Sequence, residues 1–568
     1  MQQDPVDWTQ VQAILRNGFR AYGHSVHALM TIEEPGLFRA WLCRHLDRVN
    51  SVMEARALNE KAQEILDTYH RRRREGEEVD PAELDDQLPP NPISLSFTVD
   101  GLRALEVPEE AITTFPIAFT DGMAPKVTHG DTSRRAGILG DYGPNNSANW
   151  VWGGRQDGGG GPGHQSDIHL MLAVFGWRRK RVDQVFKTLI SDTAGMRLAA
   201  PDARIDTRLV TREEGGGAED SIGKFDRIQM TEHFGYRDAI SQPFFEGTQR
   251  ARDASEVEKR FHQVPVGDFV LGFRNSRKQP TPDISLPEGA DPQSYLPLTE
   301  AHKPDFGRFG SFQVVRQLEQ DVPGFNRLVE AAADRLGAEP EPPATGPEWL
   351  ATWRKWMHGL PADLRKKERA AALLMGRWRD GTPLIAETGL PDPQHPGQAL
   401  RENQPPQPAN NFGFHHMDSA GLICPIGSHV RRVNPRDCLP PGPDKSLELT
   451  LGHRIMRRSR LYGPAVENGA FEASDTSPRG LLFICFNTDL NRQFEFTQHT
   501  WINNPNFGRQ TGEIDPILGT QDRGRTHASI ADRPLPHRLE LGQQIVRVKG
   551  GAYLFLPGLP ALRYLARK

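Results

Sequence analysis

The chain has 568 residues, 37% of them hydrophobic, enough for one large domain or two fused ones, each with its own core. Its 69 basic and 73 acidic residues leave a formal net charge of −4, which excludes a whole-protein attraction to nucleic acid or to an anionic membrane surface. The four cysteines, Cys43, Cys424, Cys438 and Cys485, form no C-x-x-C pair; this argues against a zinc or iron–sulfur site and suits a reducing compartment.

The opening MQQDPVDWTQVQ has neither a basic segment ahead of an apolar run nor a twin arginine, and no window approaches the roughly 20 apolar residues of a membrane span, so a cytoplasmic protein is expected. Residues 25–46, SVHALMTIEEPGLFRAWLCRHL, predict a strand, an acidic turn, a Pro-Gly and an amphipathic helix. A second helix is expected to begin near Val52 and end in HRRRRE (70–75), whose cations complement the helix dipole. Ile93, Leu95, Phe97 and Val99 alternate, which predicts a strand with one buried face. RQDGGGGPGHQ (155–165) and REEGGGAED (212–220) are too glycine-rich for regular structure. The apolar run Ile168–Phe175 predicts a central strand, and 167–190 reads as strand then helix. Residues 311–336, SFQVVRQLEQDVPGFNRLVEAAADRL, repeat the pattern of 25–46, while 481–486 read as a strand and 552–566 as a closing strand and helix. Between them, 337–410 looks like an insertion: EPEPPATGP, a helical stretch over 349–378 whose Trp349, Trp353 and Trp356 have the spacing of core residues, then PDPQHPGQ and PPQPANN. The simplest account is an α+β protein of two duplicated ferredoxin-like halves, 1–250 and 251–568, each an antiparallel sheet covered by helices.

The densest chemistry lies in CPIGSHVRRVNPRD (424–437) and HRIMRRSRLYG (453–463). One histidine among arginines supplies an axial ligand for haem iron and cations for the haem propionates; it would equally suit a phosphate site. GGGGPG lacks the G-K-[ST] of a nucleotide-binding loop, and His415 and His416, adjacent in a loop, are read as incidental.

Both segments resemble the dye-decolourising peroxidase family, the first its proximal-histidine segment and the second its distal-arginine segment. FGYRDAISQPFFEG (234–247) resembles the family's G-x-x-D-G motif, and 97–108, 479–508 and 550–565 are similar in the right order, so the likeness covers most of the chain outside 337–410. The resemblance implies haem b (iron protoporphyrin IX) bound in the second half, with His429 as the proximal iron ligand. Asp238 and Arg457 would stand on the opposite face, with Leu481 and Phe483 lining that pocket and Ser459 as a further polar residue there. Arg432 and Arg436 would partner the propionates. The implied activity is reduction of hydrogen peroxide and oxidation of an organic donor, such as a dye or phenol, through a ferryl porphyrin-radical intermediate. Asp238 would relay the peroxide proton, and Arg457 would keep that carboxylate ionised and meet the developing negative oxygen. The motif's last glycine is Ala239 here, a methyl that narrows the pocket, or strains the loop if its φ is positive. Two other readings are a haem storage, transfer or sensing protein, which would not need Asp238 or Arg457, and a haemless scaffold. No nucleic acid or membrane partner is expected, and homo-oligomerisation is left open.

Overall fold

In a computed structural model of the chain, residues 6–567 are described, except 17, 20–21, 78–82, 85–86, 125–133, 155–163, 192–193, 210–230, 239, 338–360, 380, 382, 386–409, 411, 467–475, 522–525 and 533–535. Ten strands form one antiparallel sheet: β1 (His24–Ile32), β2 (Ile93–Phe97), β3 (Leu170–Gly176), β4 (Met196–Leu198), β5 (Arg204–Arg208), β6 (Ser311–Gln320), β7 (Met456–Arg457), β8 (Arg460–Tyr462), β9 (Gly480–Asn487) and β10 (Val546–Leu556). Their order is β8-β5-β1-β3-β2-β10-β6-β9-β7, with β4 on β1. Because β8 also pairs with β9, the path closes on itself. The first-half strands β5-β1-β3-β2 meet the second-half strands β10-β6-β9-β8 at two seams. One is the single pair Phe97↔Phe555 and the other joins Thr207 and Arg208 to Tyr462 and Leu461. The strands of the two halves are thus continuous in one sheet, and closure removes the edges that an open sheet would expose.

The helices follow the sequence pattern. α1 (Pro35–His45) starts on Pro35, where no intrahelical donor is lost, and buries Phe38, Trp41 and Leu42 on one side. α2 (Val52–Arg74) runs from Val52 into the basic cluster. α3 (Val99–Ala104) is capped by Thr98, whose hydroxyl accepts from the Gly101 amide at 3.1 Å. α4 (Arg179–Leu189) buries Val182, Phe186 and Leu189. α5 (Val322–Ala333) is capped by Asp321, which accepts from the Gly324 amide at 2.8 Å. α6 (Ala362–Met375) ends where Gly376 turns left-handed (φ 93°) and donates to the Ala372 carbonyl. Further along lie α7 (His429–Val433), α8 (Pro443–Leu451) and α9 (Leu559–Arg567).

Val99 begins a helix instead of continuing β2, and all five β2 residues are buried, so the single buried face read from the alternation is corrected. The serines explain why alternation misled. Ser94 donates to the Gln12 side chain at 2.9 Å, and Gln12 in turn donates to the carbonyls of Leu95 and Pro557, so a polar residue is buried with its partners supplied. His415 and His416 lie on a single helical turn, Phe414–Asp418, and not in a loop. Trp349, Trp353, Trp356 and most of the glycine- and proline-rich segments fall outside the described residues. Among the described residues no helix is long and apolar enough to cross a membrane.

The core has three parts. One lies under α1, α3, α4 and α9; one fills the other sheet face with Leu29, Phe175, Val315, Ile484 and Leu554; the third joins α5 and α6 to Phe234, Tyr236 and Phe412. The last of these borders the candidate site.

Candidate active site

Alternation along β9 sends Leu482 and Ile484 into the core and leaves Leu481 and Phe483 on the opposite face. With Leu318 and Gln320 of β6 and Val546 of β10 they floor a cavity of about 260 Å3. Its walls come from the segment 232–241, the end of α6, α7, residues 453–457 and the stretch 494–502.

His429 is the first residue of α7 and reaches this cavity. The loop before it is fixed from below. Asp418 accepts from the amides of Leu422, Ile423 and Cys424 and from the buried Arg431 guanidinium, which also donates to the carbonyls of Cys424 and Asp418. His429 Nδ1 donates to Asp515, at 2.9 Å to Oδ2 and 3.2 Å to Oδ1. Asp515 is fully buried, and the Ile517 and Leu518 amides donate to Oδ1 at 2.9 Å each. Burial alone would raise its carboxyl, but the facing imidazole, the Leu518 amide and Arg432 more than offset this and hold it below its ordinary value. A carboxylate on Nδ1 fixes the tautomer and turns Nε2 out as the acceptor nitrogen; no hydrogen bond to Nε2 is present among the described residues.

A second pair lines the same cavity. Arg457 Nη1 donates to Asp238 Oδ1 at 3.1 Å, with both side chains partly open to the cavity. Asp238 follows a tight turn in which Gly235 takes φ 91° and Glu232 accepts the amides of Phe234 and Tyr236 at 2.9 and 2.8 Å. Withdrawal from solvent raises the Glu232 carboxyl despite these bonds, with Asp238 adding to the rise.

The third feature is cationic. Arg377 and Arg436 both stack on the ring of Phe412, at 4.5 and 4.2 Å, and both line the cavity with Arg454. Burial, then the neighbouring Arg454 and Arg377, pushes the Arg436 guanidinium well below its usual range; burial, then Arg457, pushes Arg454 down to about 10. Charges held this way favour an anionic ligand.

Of the residues singled out in the sequence, His429, Asp238, Arg457, Leu481, Phe483 and Arg436 line this one cavity. Arg432 does not. It is fully buried and its guanidinium donates to the carbonyls of Trp501, Asn504 and Glu513 and to Gln510, so it clamps the 501–513 segment and does not line the cavity. Ser459 lies outside it too, in a small adjoining void with Asp238 and Leu481, where its hydroxyl accepts from the Ile484 amide at 3.4 Å. Ala239 falls outside the described residues. Sequence reading missed Asp515, Arg377, Arg454 and the form of 491–502, which is π-helical, with the amides of Glu495 and Asn503 donating five residues back. That rare geometry brings Phe494, Thr497, Gln498 and Ile502 to the cavity.

Fold and site together define a class: an α+β protein with a carboxylate-backed imidazole and a carboxylate–guanidinium pair on the walls of one apolar cavity. No family model matches the chain. It is 31% identical over 357 residues to a multifunctional dye peroxidase of Amycolatopsis sp., covering 59% of this chain and 61% of that one. It is 33% identical over 265 residues to a dye-decolorizing peroxidase of Exidia glandulosa, covering 44% of each. Among solved structures, a mutant dye-decolorizing peroxidase from Pleurotus ostreatus superposes with a TM-score of 0.67 at 21% identity, over 99% of both chains. A dye-decolorizing peroxidase in complex with 2,6-dimethoxyphenol gives 0.64 at 22% identity, over 99% of this chain and 100% of that one. The chain is thus similar in sequence to curated dye-decolourising peroxidases and shares their fold, and it spans less than two thirds of the length of the curated relatives it matches.

Proposed function

We propose that the protein is a haem peroxidase that reduces hydrogen peroxide and oxidises an organic donor of the dye or phenol class. The observation that carries this reading is the meeting of two pairs, His429–Asp515 and Asp238–Arg457, in one cavity. The residues present fit a haem. His429 Nε2 is available to ligate iron, Leu318, Leu481, Phe483, Ile517 and Val546 suit the faces of the macrocycle, and the buried cations Arg377, Arg436 and Arg454 suit its two carboxylates. When bound, the haem supplies the peroxide-binding iron and the redox capacity.

The chain's own residues do the rest. Asp515 holds the His429 ring and makes it more electron-donating. Asp238 would accept a proton from peroxide held at the haem and return it to the departing oxygen. Arg457, on Oδ1, orients the Asp238 carboxylate and donates to the oxygen that gains negative charge. The apolar floor excludes water that would compete for these groups.

The strand orders β5-β1-β3-β2 and β10-β6-β9-β8 support two ferredoxin-like copies, divided as 1–250 and 251–568 with an insertion at 337–410, the haem lying in the second. The four free cysteines support a cytoplasmic setting. The test is the peroxide dependence of turnover by the haem-loaded protein. Asp238→Asn is expected to lower kcat/KM for peroxide by about 100-fold or more while haem stays bound. Wild-type turnover no faster than free haem, or no loss in Asp238→Asn, would overturn the enzyme in favour of a haem carrier.

A further inference from the structure

A second cavity, of about 420 Å3, lies on the outer face of the first-half strands. The register His24↔Arg208 and Val26↔Asp206 puts His24, Val26, Asp206 and Arg208 side by side, and the N-terminal part of α4 closes over them with Arg179, Val182 and Asp183. α4 has eleven residues and begins at Arg179 after Arg178, which gives it no side-chain cap, so the positive end of its dipole lies at Arg179, a residue that lines the cavity. Its first turn holds no acidic residue to balance that end until Asp183.

His24 is the independent observation. It lines the cavity and is only 7% exposed, yet its ring makes no hydrogen bond to the described residues. The charged groups around it are Arg179 and Asp183 on α4, Arg204, Asp206 and Arg208 on β5, and Arg460 on β8. Arg204 is engaged by both aspartates, at 2.6 and 3.0 Å, while Arg179 is 3.9 Å from Asp206 and its side chain is 60% exposed. Four arginines and two aspartates thus surround His24. Burial, then Arg460, Arg179 and Arg208, drives its pKa down to about 4, so without an anion the ring stays neutral.

We propose that this cavity binds a small phosphate-bearing molecule through the N-terminal amides of α4, Arg179, Arg208 and His24. A phosphate accepts hydrogen bonds in several directions, which matches amides, guanidiniums and an imidazole converging from three elements. The volume leaves room for an organic group beyond the phosphate. The site is separate from the haem cavity and does not depend on its assignment.

The experiment is calorimetric titration of the full chain with inorganic phosphate and with pyrophosphate, chloride holding ionic strength constant. One saturable site is expected on the wild type. Arg179→Gln, at a largely exposed side chain, is expected to weaken it about tenfold. His24→Gln should do the same where its melting temperature matches wild type, and Arg56→Gln, exposed on α2 and paired with Glu60, should change nothing. Absence of saturable binding, or phosphate affinity that Arg179→Gln leaves intact because the arginines of the first cavity hold the ion, overturns the proposal.

Discussion

Replacing Asp515 with asparagine tests whether the buried carboxylate sets the character of His429. The change is nearly isosteric, but the environment is not indifferent to it. Oδ1 already accepts two amides at 2.9 Å, from Ile517 and Leu518, so the asparagine oxygen is held there and its NH2 faces His429 Nδ1. Two donors then meet, and the ring relieves this by moving its proton to Nε2, the nitrogen required for iron. Loss of such a partner costs about 10- to 100-fold in metal affinity, or about 1.4–2.7 kcal/mol. The ferric state, which gains most from an electron-rich imidazole, loses more, so the reduction potential should rise by about 60 mV for each tenfold of difference. Haem titration followed at the Soret band, with a spectroelectrochemical midpoint, reads both. An Asp515→Asn protein that folds, binds haem as tightly as wild type and keeps its potential would refute the reasoning.

Three further predictions concern stability and order. Burial pushes the Asp305 carboxyl up to about 6. The folded state then holds a proton that the unfolded state releases near pH 3.9, so this group's contribution falls as pH rises from about 4 to 6. Asp305→Asn should raise unfolding stability by about 2 kcal/mol at pH 7.5 and by nothing below pH 4, read by urea denaturation; equal effects at both pH values would count against it. A methyl on Gly101 would lie 1.8 Å from the His169 carbonyl oxygen, so Gly101→Ala should cost about 3 kcal/mol or more by displacing α3 from β3, and an unchanged melting temperature would contradict the packing. Arg458 donates to the carbonyls of Ile14, Leu15 and Arg16 at 3.1, 2.7 and 2.7 Å. Arg458→Met should free that segment and speed proteolytic cleavage ahead of β1 several-fold, whereas wild-type cleavage rates would mean the clamp is idle.

Local patterning made the repeated strand–turn–helix units legible. An acidic residue just before α1 and α5 and a proline in the first turn of each mark both helix starts. The alternation of Leu481 and Phe483 likewise anticipates a shared face, which the cavity occupies. What was not legible depends on distant partners. Asp515 reaches His429 across 86 residues, with nothing in its own neighbourhood to mark it. Arg432 and Arg436 look alike in sequence, yet one meets three carbonyls and the other a ring and a cavity. The sheet's closure rests on short pairings at β5–β8 and β2–β10 that no single segment encodes.

The central claim, that His429 ligates haem opposite a working Asp238–Arg457 pair, is tested most directly by the visible absorption spectrum of haem-loaded protein before and after one equivalent of hydrogen peroxide. The account predicts a ferric histidine-ligated Soret band that shifts within the mixing time in the wild type, persists but shifts slowly in Asp238→Asn, and is lost or altered in His429→Ala. A His429→Ala protein with the wild-type spectrum, or a wild-type band that peroxide leaves in place, would contradict it.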